Sequence, residues 1–299
     1  MKKALALLLC LAMVAAVTVV AFAESEVSPV VKEKALAYFE NYDGTKVVIK
    51  PADLFAKMDA GEDMLILDVR QADAYAAGHL IGAVNVPYGM AVAESLANIP
   101  DDVQIYVYCY SGQTASQVTV LLNVAGRYAA NIQSGFNNGI SQTEGYEAYL
   151  TTDVATLPDE TYDVDPDVQA AITKYFEDVA SKADTAFKYN NFAPADLEAV
   201  LDAELEGYFV YDVRQADAYT AGHIQGAVNN PYGAGMQQNF EEQLPTDETI
   251  IVHCYSGQTA SQTMTILRLL GYDAYNLSGG MGKEGGSGWL GAGCGVVTE

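Results

Sequence analysis

Short apolar runs alternate with amphipathic segments along residues 28–299, and the whole alternation occurs twice. Met64 to Leu67 and Ile105 to Tyr108 have the length and composition of buried strands. Tyr208 to Tyr211 and Ile250 to His253 repeat them. Val30 to Tyr42 and Val168 to Lys182 read as amphipathic helices. Pro51 to Leu54 and Pro194 to Leu197 both spell Pro-Ala-Asp-Leu, which reads as a helix start with proline in the first turn. Leu121, Val124 and Ala125 fall at helical spacing before Gly126, as do Ile266, Leu269 and Leu270 before Gly271, so both glycines read as C-caps. Short buried strands alternating with helices predict an α/β fold, each half a central, mostly parallel sheet with helices on both faces.

The halves are copies of one another. Residues 68–89 and 212–233 differ at four of 22 positions, and CYSGQTASQ at 109–117 recurs unchanged at 254–262. We place one domain at 28–152 and the other at 165–299. The linker, 153–164, belongs to an acidic stretch with Pro158 and Pro166 at its centre and end.

Residues 1–23 differ from the rest. Lys2 and Lys3 precede an apolar run from Ala4 to about Ala21, and Ala21-Phe22-Ala23 offers small residues for cleavage. This pattern predicts a signal peptide and export to a periplasm or the exterior; left uncleaved, the run would anchor the chain in a membrane. No later run is long and apolar enough to span one.

Charge narrows the partners. Lys and Arg number 15 against 39 Asp and Glu, a net charge of −24. Nucleic acid and anionic membrane surfaces are therefore poor partners, and any site for an anion must be built locally. Cleavage would leave three cysteines, Cys109, Cys254 and Cys294, too few and too scattered for a disulfide scaffold. Three dispersed histidines and the absence of a Cys-x-x-Cys argue against a metal site, and no cofactor is expected.

The chemistry concentrates where a strand becomes a helix. Cys109 and Cys254 each end a predicted buried strand, the position at which open α/β sheets bind ligands. The loops Tyr110-Ser111-Gly112-Gln113-Thr114 and Tyr255-Ser256-Gly257-Gln258-Thr259 are small and polar, each with a central glycine. Such a loop turns successive N–H groups inward, and the helix behind adds a positive dipole end. That cradle favours a thiolate or a terminal persulfide sulfur. Thr114 and Thr259 can cap the helix or donate a hydroxyl to the sulfur.

Asp-Val-Arg, Gly-His, Gly-Ala-Val-Asn-x-Pro and Cys-Tyr-Ser-Gly-Gln-Thr, in this order in both halves, resemble the rhodanese family. Asn276-Leu277-Ser278-Gly279-Gly280-Met281 is similar to that family's closing motif, which the first copy loses, reading Ile132-Gln133-Ser134-Gly135-Phe136-Asn137 instead. The resemblance implies a sulfurtransferase that carries sulfane sulfur as a cysteine persulfide. Cys109 and Cys254 would be the nucleophiles, with 110–114 and 255–259 supplying the N–H cradles. It implies a small sulfur-containing donor (thiosulfate, polysulfide or persulfide) and a thiol, a cyanide-like acceptor or a protein sulfur acceptor. A carrier or sensor that loads without turnover is the alternative. Neither loop holds Arg or Lys, so a phosphatase, which wants an arginine fork on phosphate, is disfavoured.

Other polar residues read as structural. Asp68 with Arg70, and Asp212 with Arg214, suit buried ion pairs at strand ends, while His79 and His223 sit in turns. His253 precedes only one of the two cysteines. Cys294 lies in Gly-Ala-Gly-Cys-Gly, expected to be a flexible tail; a mobile thiol there could resolve a persulfide on Cys254 as a disulfide.

Overall fold

The computed structural model describes residues 27–40, 42–43 and 47–298; the expected signal peptide, with Cys10, lies outside them. Two five-stranded sheets form, both wholly parallel. The first contains β1 (Val48–Ile49), β2 (Met64–Asp68), β3 (Ala83–Asn85), β4 (Gln104–Tyr108) and β5 (Tyr128–Ile132), in the order β1-β5-β4-β2-β3. The second contains β6 (Asn191–Phe192), β7 (Tyr208–Asp212), β8 (Val228–Asn229), β9 (Thr249–His253) and β10 (Ala274–Leu277), in the equivalent order β6-β10-β9-β7-β8. The strands that lead into Cys109 and Cys254, β4 and β9, are central in their sheets. Their sequences are apolar because both faces are covered.

Leaving aside four-residue turns of helix, the helices of the first copy are α1 (Pro29–Glu40), α2 (Pro51–Asp59), α3 (Ala72–Ala77), α4 (Met90–Ser95) and α5 (Gln113–Val124). Those of the second are α6 (Pro166–Ser181), α7 (Pro194–Asp202), α8 (Ala216–Ala221) and α9 (Gln258–Leu269). Proline in the first turn starts α2 and α7, as the Pro-Ala-Asp-Leu boxes predict. Gly126 and Gly271, at φ +83° and +95°, follow α5 and α9 in the left-handed conformation that closes a helix.

The copies share one core. Helices α5 and α9 pack against each other between the two sheets, and a single apolar cluster joins Leu121 and Val118 to Met264 and Ile266. Two smaller clusters cover the outer faces, one around Leu54, Phe55 and Ile132, the other around Leu197, Tyr275 and Trp289. Because α5 and α9 are buried nearly all round, Ser116, Gln117, Ser261 and Gln262 are inside as well. The two glutamines are hydrogen-bonded there, Gln117 accepting from the Tyr88 and Tyr175 hydroxyls and Gln262 from that of Tyr232.

The first helix of each copy covers the other copy. Phe39 of α1 sits edge-on to Tyr232 and Phe240 of the second copy, and its carbonyl accepts from Gly235 N at 3.2 Å. Conversely, Phe176 of α6 meets Tyr88 of the first copy, and Gln169 Nε2 donates to Ala93 O at 3.0 Å. The linker is a strap along the first copy: Tyr162 N donates to Ala97 O at 2.7 Å, and Ala155 bridges Val84.

The C-terminal segment is not the flexible tail expected from its composition. Val297 and His223 exchange both backbone hydrogen bonds, at 2.9 and 3.0 Å, and Trp289 Nε1 donates to Gly295 O at 2.6 Å. This docking matches the first copy, where His79–Leu80 pairs antiparallel with Leu150–Thr151. Among the described residues, no helix is long and apolar enough to cross a membrane.

Candidate active sites at the two cysteine loops

At the carboxyl end of β4 the chain turns sharply through Ser111 and Gly112 into α5. Gly112 has φ +89° and Gly257 has φ +85°, a conformation open to glycine, and each occupies the N-cap position of its helix. Thr114 and Thr259, expected as caps, instead lie inside the first helical turn. The turn brings Gly112 N to 3.1 Å from Cys109 Sγ, and Gly257 N to 3.1 Å from Cys254 Sγ. Both sulfurs thus accept a backbone N–H at the positive end of a twelve-residue helix, which stabilises negative charge on sulfur. Cys109 and Cys254 are buried, whereas Tyr110 and Tyr255 project into solvent at the rims.

A second turn supports each loop from behind, and the sequence reading missed it in the first copy. Phe136 N donates to Cys109 O at 2.8 Å and Asn137 N to Tyr110 O at 2.9 Å. In the second copy Met281 N donates to Cys254 O at 2.7 Å and Gly282 N to Tyr255 O at 2.9 Å. Gly135 and Gly280 are equivalent. A Cβ on Gly135 would lie 2.6 Å from Cys109 O and from Gly112 N; one on Gly280 would lie 2.5 Å from Cys254 O. The closing motif is therefore kept in the first copy, with Ser134 at φ +62° where the second has Gly279 at φ +75°. The glycine spacing carried this signal, but the substitution of its neighbours hid it.

Both copies contribute to the Cys109 cleft, which encloses about 240 Å³. Val69, Gln71, Tyr88, Tyr110, Ser111, Gln113 and Thr114 of the first copy line it, together with Tyr189, Asn191 and Ser278 of the second. None of these is a cation. Tyr88 donates its hydroxyl to Gln117, and burial raises its pKa well above the usual phenol value, so it stays protonated. Gln113 and Gln258 extend beyond their own loops: Gln113 Oε1 accepts from Asn276 Nδ2 at 2.8 Å and Gly279 N at 3.1 Å, and Gln258 Oε1 accepts from Ser134 N at 2.9 Å.

The residues read as structural are so placed. Arg70 grips Asp68 through Nε and Nη2, at 3.0 and 2.6 Å, and donates to Gly78 O at 2.8 Å. Arg214 repeats this with Asp212 and Gly222. His79 and His223 stack on Tyr75 and Tyr219 and hydrogen-bond backbone carbonyls. His253 is fully buried 3.5 Å from Asp212, and burial pushes its pKa down to about 4.

Cys294 does not join a cysteine site. It is buried in the outer cluster with Leu197 and Trp289, whereas Cys254 belongs to the shared inner cluster. Burial, with Glu198 nearby, pushes its thiol up to about 11. A thiol buried in a separate cluster lacks the mobility that the resolving role expected of a flexible tail would need. Among the described residues no group of His, Cys, Asp and Glu could hold a metal ion.

A family model described as "Rhodanese-like domain" matches the chain twice, at residues 51–151 and 193–283. A thiosulfate sulfurtransferase, GlpE, of Pseudomonas entomophila is 30% identical over 91 residues, 30% of this chain and 74% of that protein. A tRNA sulfurtransferase of Pyrobaculum aerophilum is 34% identical over 86 residues, 28% of this chain. The chain spans 16% of that relative's length and 48% of another from Bacillus subtilis. A solved structure of Escherichia coli SseA, described as a 3-mercaptopyruvate sulfotransferase, is 19% identical with a TM-score of 0.36, covering 79% of this chain and 99% of that one.

Proposed function

The chain belongs to the rhodanese-like domain family, with two such domains in tandem, and on that premise we propose that it is a sulfurtransferase working through persulfides on Cys109 and Cys254. The observation that carries this reading is the N–H donated to each sulfur by Gly112 or Gly257 in an inward-turned loop. The thiolate attacks the outer sulfur of a donor. With thiosulfate, the sulfur–sulfur bond breaks, sulfite leaves with the bonding pair, and a cysteine persulfide anion remains. An acceptor then takes the terminal sulfur: cyanide leaves as thiocyanate, or a thiolate leaves as a persulfide, and the cysteine thiolate is regenerated. The loop N–H groups hold the negative charge at both stages.

A Cys109 cleft lined by tyrosines and neutral polar groups, in a chain of net charge −24, favours donors of lower charge, such as organic persulfides, over the dianion thiosulfate. Residues 1–23 support export, so the reaction would run outside the cytoplasm. The test is to incubate the protein with thiosulfate, then with a polysulfide, and to map its cysteines by peptide mass spectrometry before and after cyanide. One added sulfur on Cys109 or Cys254, removed by cyanide, supports the proposal. No addition to free thiols by either donor overturns it. Stoichiometric loading without multiple turnover would favour a sulfur carrier instead.

A further inference from the structure

We propose that Gln113 and Gln258 are positioning residues for the cysteine of the opposite copy, so that each loop helps to build the other's cradle; this rests on the reading of Cys109 and Cys254 as sulfur-carrying residues. Gln113 leaves the Cys109 loop and crosses to the second copy. Its Oε1 accepts from Gly279 N and Asn276 Nδ2, at 3.1 and 2.8 Å. Gly279 leads into Gly280, which is pressed against the Cys254 loop so closely that a Cβ there would lie 2.7 Å from Gly257 N, the donor to Cys254 Sγ. The path returns symmetrically. Gln258 Oε1 accepts from Ser134 N, and the adjoining Gly135 backs Gly112, the donor to Cys109 Sγ.

The two amides also touch the opposite loops directly. A Cβ on Gly112 would meet Gln258 Nε2 at 2.4 Å, and one on Gly257 would meet Gln113 Oε1 at 2.6 Å. Each glutamine therefore hydrogen-bonds the turn behind the facing cradle and packs closely against that cradle's glycine. An N–H cradle works because it is held before charge arrives, so loosening it slows reaction more than it weakens donor binding.

The test uses full-length protein with one cysteine removed. In Cys109→Ser protein only Cys254 can act, and Gln113→Met keeps the side chain's length while deleting the acceptor. The limiting rate of Cys254 persulfide formation should fall about tenfold with donor KM little changed, and iodoacetamide modification of Cys254 should slow in parallel. Gln113→Glu keeps an acceptor and should restore the rate to within about twofold at high salt, where the added charge is screened. Gln258→Met in Cys254→Ser protein should do the same to Cys109. Unchanged rates at the opposite cysteine overturn the proposal, as does a Gln113→Glu protein as slow as Gln113→Met. If the parent proteins take up no sulfur, the sulfur-transfer reading fails, and the alkylation rates alone decide the positioning role.

Discussion

Gly135 lies behind Cys109 with no room for a side chain: a Cβ would stand 2.6 Å from the Cys109 carbonyl oxygen and the Gly112 nitrogen. Gly135→Ala must therefore push the loop forward and pull Gly112 N from the sulfur, besides straining a backbone at φ +62°. We expect Cys109 loading to fall at least about tenfold, with Cys254 loading changed much less. Peptide mass spectrometry after a short donor pulse reads both sites at once. Equal loss at both would show that the turn supports the whole fold rather than one cradle.

The buried pair of Asp68 and Arg70 is expected to act on stability. Asp68 is fully buried and Arg70 nearly so, and Asp68→Ala would leave the guanidinium with the Gly78 carbonyl but no counter-charge. Breaking such a pair costs about 3–5 kcal/mol. Guanidinium chloride unfolding of Asp68→Ala and of Asp212→Ala should show comparable losses. A loss below about 1 kcal/mol would mean that the arginine finds another partner.

His253 predicts a dependence of stability on acid. Its pKa is pushed down to about 4 by burial, below the roughly 6.5 of an unfolded chain, so the folded state resists protonation. Between these values the unfolded state binds more protons. The contribution is thus fully present above about pH 6.5 and is lost as pH falls toward 4. The equivalent position in the first copy is Tyr108. His253→Tyr should flatten the stability profile between pH 6.5 and 4, measured by urea unfolding; an unchanged slope would assign it to other groups.

Cys294 should be inert in the native protein. With its thiol pushed up to about 11 and its side chain in the outer core, alkylation at pH 8 should be slow until the protein is unfolded. Cys294→Ala should leave Cys254 persulfide turnover unchanged. A Cys254–Cys294 disulfide after donor treatment would contradict this placement.

Phe39 tests the crossing of the first helices. It is fully buried against Tyr232 and Phe240, so Phe39→Ala should cost about 3–5 kcal/mol. Amide exchange should rise within residues 232–244 of the second copy, not only around α1. Faster exchange confined to α1 would show that it merely rests on the second copy.

Strands β2, β4, β7 and β9 were legible because sheets buried on both faces need unbroken apolar runs, and duplication printed each run twice. The loops were legible because nine identical residues recur in copies whose neighbouring helices differ. What each copy leans on was not legible. The apolar stripe of α1 is satisfied by any apolar surface, and nothing in its spacing says that Tyr232 lies ahead in the other copy. Gln113 and Gln258 read as members of their own loops, since a side chain's reach across a boundary leaves no periodic trace. Gly135 was hidden because Ser134 and Phe136 replace Gly279 and Met281, although the glycine pressed against the cysteine loop had not changed.

The exchange of α1 and α6 has a historical consequence. Two separate single-copy chains trading their leading helices around a two-fold axis would form this same arrangement, and the linker then needs only to join one chain's end to the next one's start. The molecule holds that two-copy arrangement within one chain. Once joined, neither half can be discarded, because each would take with it the covering of the other's core. A cysteine loop whose chemistry lapsed would still be retained as scaffolding, because its glutamine holds the turn behind the facing loop.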